Sequence, residues 1–149
     1  MEYPALLEAG MHNITLSDMN TIFVAPFENP KRRKILLSRL ESFVEKLQEI
    51  SLDMEIWVDG SFATQKEHPG DIDLVVVCNE VSVNRLSDDK QKVLSELFGN
   101  QKTTKLRYEC DAYFTMDDMH STSYWRGLFG FDRDEHPKGI ARLKIEANL

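Results

Sequence analysis

The chain has 149 residues, 42% of them hydrophobic, and a formal net charge of −7. That length suits one domain, 1–149, able to bury about 68–70% of its unfolded surface without a staple, and the acidic balance argues against a broad non-specific grip on nucleic acid. No apolar run reaches the roughly 20 residues of a membrane span, the start MEYPALLEAG lacks the basic and apolar regions of a signal peptide, and two cysteines without metal-type spacing read as reduced core thiols of a cytoplasmic protein.

Residues 1–16, with Pro4 and Gly10, read as an extended lead-in. Ser17-Asp18 is placed to cap a short helix through Phe23. A loop with two prolines, Ala25–Pro30, leads to an amphipathic helix over Lys31–Glu49. In it Ile35, Leu36, Leu40, Phe43, Val44 and Leu47 recur at helical spacing. Its first turn, Lys31, Arg32, Arg33 and Lys34, opposes the helix dipole. Those cations are either a solvated face or a site for phosphate or an acidic partner.

Glu55–Val58 reads as a strand, Gly60-Ser61 as a turn, and Asp71–Val77 as a buried strand that opens with two aspartates. Side chains alternate across a strand, so Asp71 and Asp73 share a face with Cα atoms roughly 6–7 Å apart. Ile72, Leu74 and Val76 point the other way, into a core. Paired carboxylates on a rigid strand make a seat for hard divalent cations.

Asn79–Ser87 is a polar connection. Ser87-Asp88-Asp89 caps a helix reaching Phe98, with Val93, Leu94 and Leu97 inward, and Gly99-Asn100 stops it. Thr103–Phe114 alternates as a strand does. Thr104, Leu106, Tyr108, Cys110, Ala112 and Phe114 make one face, and Lys105, Arg107, Glu109, Asp111 and Tyr113 the other. Thr115–His120 is polar, Ser121–Phe129 is a short aromatic helix, Gly130–Pro137 a charged turn, and Lys138–Glu146 a final strand. The alternation of elements predicts an α/β (α+β) domain: a mixed β-sheet with helices mainly on one face and the carboxylates on the other.

Gly60-Ser61, then the nine residues 62–70, then Asp71-Ile72-Asp73-Leu74 resembles the signature of the DNA polymerase β-type nucleotidyltransferase superfamily. The wording GSF…HPGDIDLVVV with a trailing KGI is also similar to a family of small bacterial proteins known only as a domain of unknown function. The superfamily resemblance implies a nucleotidyltransferase-like sheet and a Gly-Ser turn, Gly60 and Ser61, on the triphosphate of an NTP. It implies Mg²⁺ or Mn²⁺ on Asp71 and Asp73, with a third carboxylate from a later strand. Asp111 stands where that carboxylate is expected, and Glu109 on the same face is the alternative. Lys66 and Lys138 are candidates to reach phosphates, or plain surface lysines. Tyr113, Trp125 and Phe129 are candidates for a base platform, for core, or for a partner interface.

The activity implied is transfer of an NMP from an NTP to a hydroxyl of RNA, such as a tRNA 3′ end, or of a protein. Small members of the superfamily often work with a partner chain or occur in toxin–antitoxin and phage-defence pairs, so a protein partner or homo-oligomer is expected and a membrane is not. The alternative is a catalytically degenerate binding or antitoxin subunit. The aromatic run Tyr124–Phe129, beside Arg126, is where such a contact is expected.

Overall fold

The centre of the fold follows from the run after Asp71. Three consecutive β-branched valines favour extended backbone, and Ile72–Cys78 (β3) is buried on both faces, as suits a strand with neighbours on either side. It pairs antiparallel with Met54–Asp59 (β2) and parallel with Cys110–Met116 (β4). Beyond β2, Gly139–Ile145 (β5) runs antiparallel to it, and Gly10–Asn13 (β1) lies parallel to β5 at the edge. The sheet is mixed and five-stranded, in the order β1-β5-β2-β3-β4. The computed structural model describes residues 3–147; the first two residues of the expected lead-in, and residues 148–149, lie outside them.

Five helices contribute to the larger core on one face of the sheet: Leu16–Phe23 (α1), Lys31–Gln48 (α2), Glu80–Asn84 (α3), Asp88–Phe98 (α4) and Gln101–Tyr108 (α5). They meet Ile56, Val58, Ile72, Leu74, Val76 and their neighbours in that core. Full burial of each such side chain is worth about 1.5–3 kcal/mol. Met119–Phe129 (α6) covers the opposite face, where Trp57, Val75, Val77, Phe129 and Ile140 form a smaller cluster. The mixed sheet with helices mainly on one face is therefore as expected. Among the described residues no helix is long and apolar enough to cross a membrane.

Four expectations need correction. The lead-in is not featureless, because Gly10–Asn13 is the edge strand β1. The cap of α1 is Thr15, whose hydroxyl accepts from Asp18 N while the Asp18 side chain accepts from Thr15 N. That reciprocal pair fixes the helix start two residues earlier than Ser17. The Asn79–Ser87 connection contains a short helix, α3, capped by Asn79. Finally, residues 103–108 are not strand. They belong to α5, whose cap is Asn100, and β4 begins only at Cys110. Buried Thr104 and Tyr108 lie four apart, a spacing that satisfies both a strand's period and a helix's. Leu106 distinguishes the two: a strand would bury it with them, and it is 86% exposed.

Two of the four cations at the start of α2, Arg32 and Arg33, are engaged by the fold itself. Arg33 is fully buried. Its guanidinium donates to the carbonyl oxygens of Phe23 (2.9 Å), Phe62 (2.7 Å), Thr64 (2.6 Å) and Lys66 (2.6 Å). Its Cζ lies 3.7 Å over the Phe27 ring. Arg32 donates to the carbonyls of Pro69 and Gly70 and, at 2.8 Å, to the Glu109 carboxylate. Adjacent residues thus hold the segment after β2 and the two segments entering β3 and β4. Lys31 and Lys34 stay exposed.

Replacing Arg33 with Lys keeps the charge but loses the forked donors. Several buried carbonyls would be left unpaired at roughly 1–3 kcal/mol each. Urea unfolding should give a loss of about 2–4 kcal/mol for Arg33→Lys. A loss below about 1 kcal/mol would mean that water serves those carbonyls instead.

Candidate active site at the sheet end

Strand parity sets the face. Ile72, Leu74 and Val76 face the large core, so Asp73, Val75 and Val77 face the α6 side. The same parity in β2 and β4 puts Asp59 and Asp111 on that side, with Trp57 and Tyr113. The register then aligns them: Asp59 lies opposite Asp73, and Asp73 opposite Asp111. Three carboxylates therefore form a row across adjacent strands, about 4.7–4.9 Å apart in the backbone. Asp71 stands just before β3, two residues from Asp73. The register sets Asp73 beside Asp111 on one face, with Asp71 two residues from Asp73, and it adds Asp59.

Gly60 follows Asp59 with φ +76°, a conformation that side chains disfavour. A methyl there would overlap the Asp73 carboxylate, so two independent constraints call for glycine. Ser61 opens a 3-10 turn, Ser61–Ala63, in which Gly60 holds the capping position, so the serine hydroxyl caps no helix. A cleft of about 470 Å³ is lined by Asp59, Gly60, Ser61, Thr64, Lys66, Asp71, Asp73 and Lys138, together with Tyr3, Leu128, Phe131, Asp132 and Arg133. Asp111 does not line it. A larger cavity of about 820 Å³ lies on the same face of the sheet, among residues of the opposite strand ends such as Met54, Val77 and Lys144, and has charges of both signs but no acid row.

Each acid has a distinct setting. Burial pushes the Asp73 carboxyl up to about 7, and the neighbouring charges of Asp71, Asp111 and Asp59 push the same way. Asp59 is 4% exposed, and its burial raises it to about 6 against the opposing pull of Lys138. Lys138 Nζ lies 2.9 Å from Asp59 Oδ1. That oxygen nevertheless has no partner of hydrogen-bond geometry, so it is paired in charge but not in direction. Lys105 Nζ holds Asp71 Oδ2 at 2.9 Å. The Tyr113 hydroxyl donates to Asp111 Oδ2 at 3.3 Å.

These contacts revise several sequence expectations. Lys105 comes from α5, not from the strand of Asp111, and engages Asp71. Glu109 is no rival ligand, because Arg32 draws its carboxylate towards α2. Lys138 lines the cleft but is already committed to Asp59. Lys66 lines the cleft too, while its carbonyl is bound by Arg33. Trp125 and Phe129 pack on the smaller cluster, and Tyr113 stacks at 5.3 Å on Trp125. Asp59 was missed, although it directly precedes the Gly-Ser turn and is two residues from Trp57; only the hairpin register reveals that it faces Asp73.

The donor set is all carboxylate oxygen, which suits a hard divalent cation. Four neighbouring acids share two lysines, and the raised Asp73 group marks the uncompensated charge that such a cation would neutralise. The oxygens of Asp71, Asp73 and Asp111 do not converge within 4.8 Å of one another, as repulsion and the pull of Lys105 and Tyr113 dictate. Among the described residues, the side chains that do converge to that degree are Asp132, Asp134 and His136 on the turn at the cleft rim. There Asp132 Oδ1 accepts from the Asp134 and His136 amides, so the cluster is explained by its own turn.

The model of a family described as a family of unknown function, DUF6932, matches residues 1–144. No curated protein and no solved structure matches the chain.

Two outcomes test the site's energetics. A raised carboxyl favours the folded state at low pH, and that preference is lost as pH rises from about 4 through 7. In chelator, Asp73→Asn should match wild type near pH 4 and exceed it by about 2–4 kcal/mol at pH 8. A constant difference across that range would mean that Asp73 titrates normally. Gly60→Ala should cost roughly 2–4 kcal/mol in thermal or urea unfolding; a neutral effect would show that the turn has room to move.

Proposed function

As the chain belongs to DUF6932, a family of unknown function, we propose from its site that it is a metal-dependent nucleotidyltransferase, moving an NMP from an NTP to a hydroxyl. The observation that carries this reading is the row Asp59–Asp73–Asp111, flanked by Asp71, beside the Gly60-Ser61 turn. The nucleotidyltransferase-like motif and the acid row support each other: both need Gly60 bare and Asp73 ionisable.

Ser61 and Lys66 bind the β- and γ-phosphates at the cleft end. Gly60 lets backbone and phosphate approach. Asp111, oriented by the Tyr113 hydroxyl, accepts the proton of the acceptor's hydroxyl. That oxygen forms a bond to the α-phosphorus while the bond from the α-phosphorus to the bridging oxygen breaks, and pyrophosphate leaves with the electron pair. Asp71, Asp73 and Asp111 would hold Mg²⁺ or Mn²⁺, which supplies neutralisation of the phosphate charge. Lys138, anchored on Asp59, keeps a positive charge beside the same cleft. The acceptor is the 3′ end of an RNA such as tRNA, or a protein side chain, and a role in toxin–antitoxin or antiviral pairs belongs to the same reading. A cytoplasmic setting agrees with Cys78 and Cys110, which are free, buried and pushed up to about 12 by burial.

A second reading, a degenerate binding or antitoxin subunit, draws support from the lysines already seated on Asp71 and Asp59. The outward face of α6, with Tyr124 exposed, suits a partner chain or a second copy under either reading.

Incubation with Mg²⁺, each labelled NTP in turn, total RNA and host lysate distinguishes the readings. Label should pass to one acceptor class, and Asp73→Ala and Asp111→Ala should reduce transfer by about 100-fold or more. Metal-dependent NTP binding with no transfer to any acceptor would favour the binding subunit. Transfer that survives Asp73→Ala would refute the site.

A further inference from the structure

The cleft lining carries two chemically different sets of side chains. Ser61, Thr64 and Lys66 make a polar one. Tyr3, Leu128 and Phe131, beside Asp132 and Arg133, make an apolar wall and are 44%, 51% and 46% exposed. Large apolar groups left in water at one cleft call for an explanation beyond scattered surface hydrophobes. These three come from the N-terminal segment, the end of α6 and the turn after it, so no single helix face accounts for them.

Both flanks of this wall are tied to the site. Next to Tyr3, the Pro4 carbonyl accepts from Gln65 N, and Ala5 bridges Thr64. Next to Phe131, a bridge to Pro137 and a bond from Lys138 N to the Gly130 carbonyl close the turn. The apolar wall is therefore pinned on one side to the Ser61–Lys66 segment and on the other to Lys138. A space of about 470 Å³ falls within the roughly 300–1,000 Å³ of small-molecule sites.

We infer that Tyr3, Leu128 and Phe131 hold the nucleobase of the NTP whose phosphates lie on the Ser61 side, an inference that rests on the nucleotidyl-transfer reading. The chemistry on the two walls matches a ligand with an anionic chain at one end and a flat heterocycle at the other. An aromatic face stacks on a base of any sequence, and an aliphatic side chain closes the sandwich. Trp125 and Phe129, the sequence's candidates for that role, are turned to the sheet.

The test compares two ligands by calorimetry in Mg²⁺: each NTP, and tripolyphosphate, which has the anionic chain without the base. Wild type should bind at least one NTP more tightly than tripolyphosphate. Phe131→Ala and the double variant Leu128→Ala/Phe131→Ala should weaken the NTP by roughly 5- to 150-fold and leave tripolyphosphate unchanged. Phe131→Tyr should restore NTP binding. Equal losses for both ligands, or no loss, would overturn the base wall. So would variants that change only the mass seen by light scattering, because the residues would then belong to an interface between chains. A wild type that binds tripolyphosphate and every NTP equally would remove the wall but leave the phosphate site. A wild type that binds neither would overturn the transfer reading and this inference with it.

Discussion

A single buried guanidinium orders the functional end of the molecule. Arg33 enters the core without a carboxylate and satisfies its donors on backbone carbonyls of Phe23, Phe62, Thr64 and Lys66. Burial lowers its pKa only to about 10, so the charge persists at neutral pH. A cation in the first turn of a helix works against the helix dipole, and burying it costs more still. The many carbonyl bonds, and the rings of Phe27 and Phe62, offset that cost. Arg32 does a parallel task one residue earlier, joining the Pro69-Gly70 and Glu109 segments. Two neighbouring residues therefore align the segment that carries Ser61 and Lys66 and the two segments that lead into Asp71, Asp73 and Asp111.

The acid row is the opposite kind of feature. Asp59, Asp71, Asp73 and Asp111 repel one another, and burial of Asp73 and Asp59 adds to the strain. No packing argument accounts for them; a sheet end built for stability alone would carry apolar or neutral groups. The fold tolerates the cluster because strands hold it rigidly and two lysines, Lys105 of α5 and Lys138 just before β5, sit at its edges. The cost is concentrated where a bound cation would relieve it.

Much of this was legible in the sequence, for identifiable reasons. α2 and α4 have long apolar stripes at one period only, and β3 has a valine run that no helix explains as well. The Gly-Ser turn and the two aspartates could be placed on one face from strand parity alone. Asp111 was found, although the strand holding it was drawn seven residues too long at its start. The error arose because Thr104 and Tyr108 fit two periods at once, and only packing against α2 and β4 decides between them. Asp59 escaped because its importance lies in register, which depends on a partner strand. β1 escaped for a similar reason: four residues with no apolar alternation become a strand only when β5 lies beside them.

That last pairing has a consequence for how the protein is made. Gly10 lies opposite Gly139 in the sheet, 129 residues later (139 − 10). At a synthesis rate of about 5–20 residues per second, the first strand waits roughly 6 to 26 s for its neighbour. β2 and β3 form a local hairpin and β4 joins β3 soon afterwards, whereas β5 has to thread in between β1 and β2. The sheet thus closes at the seam where β1 and β5, its neighbours most widely separated in sequence, meet.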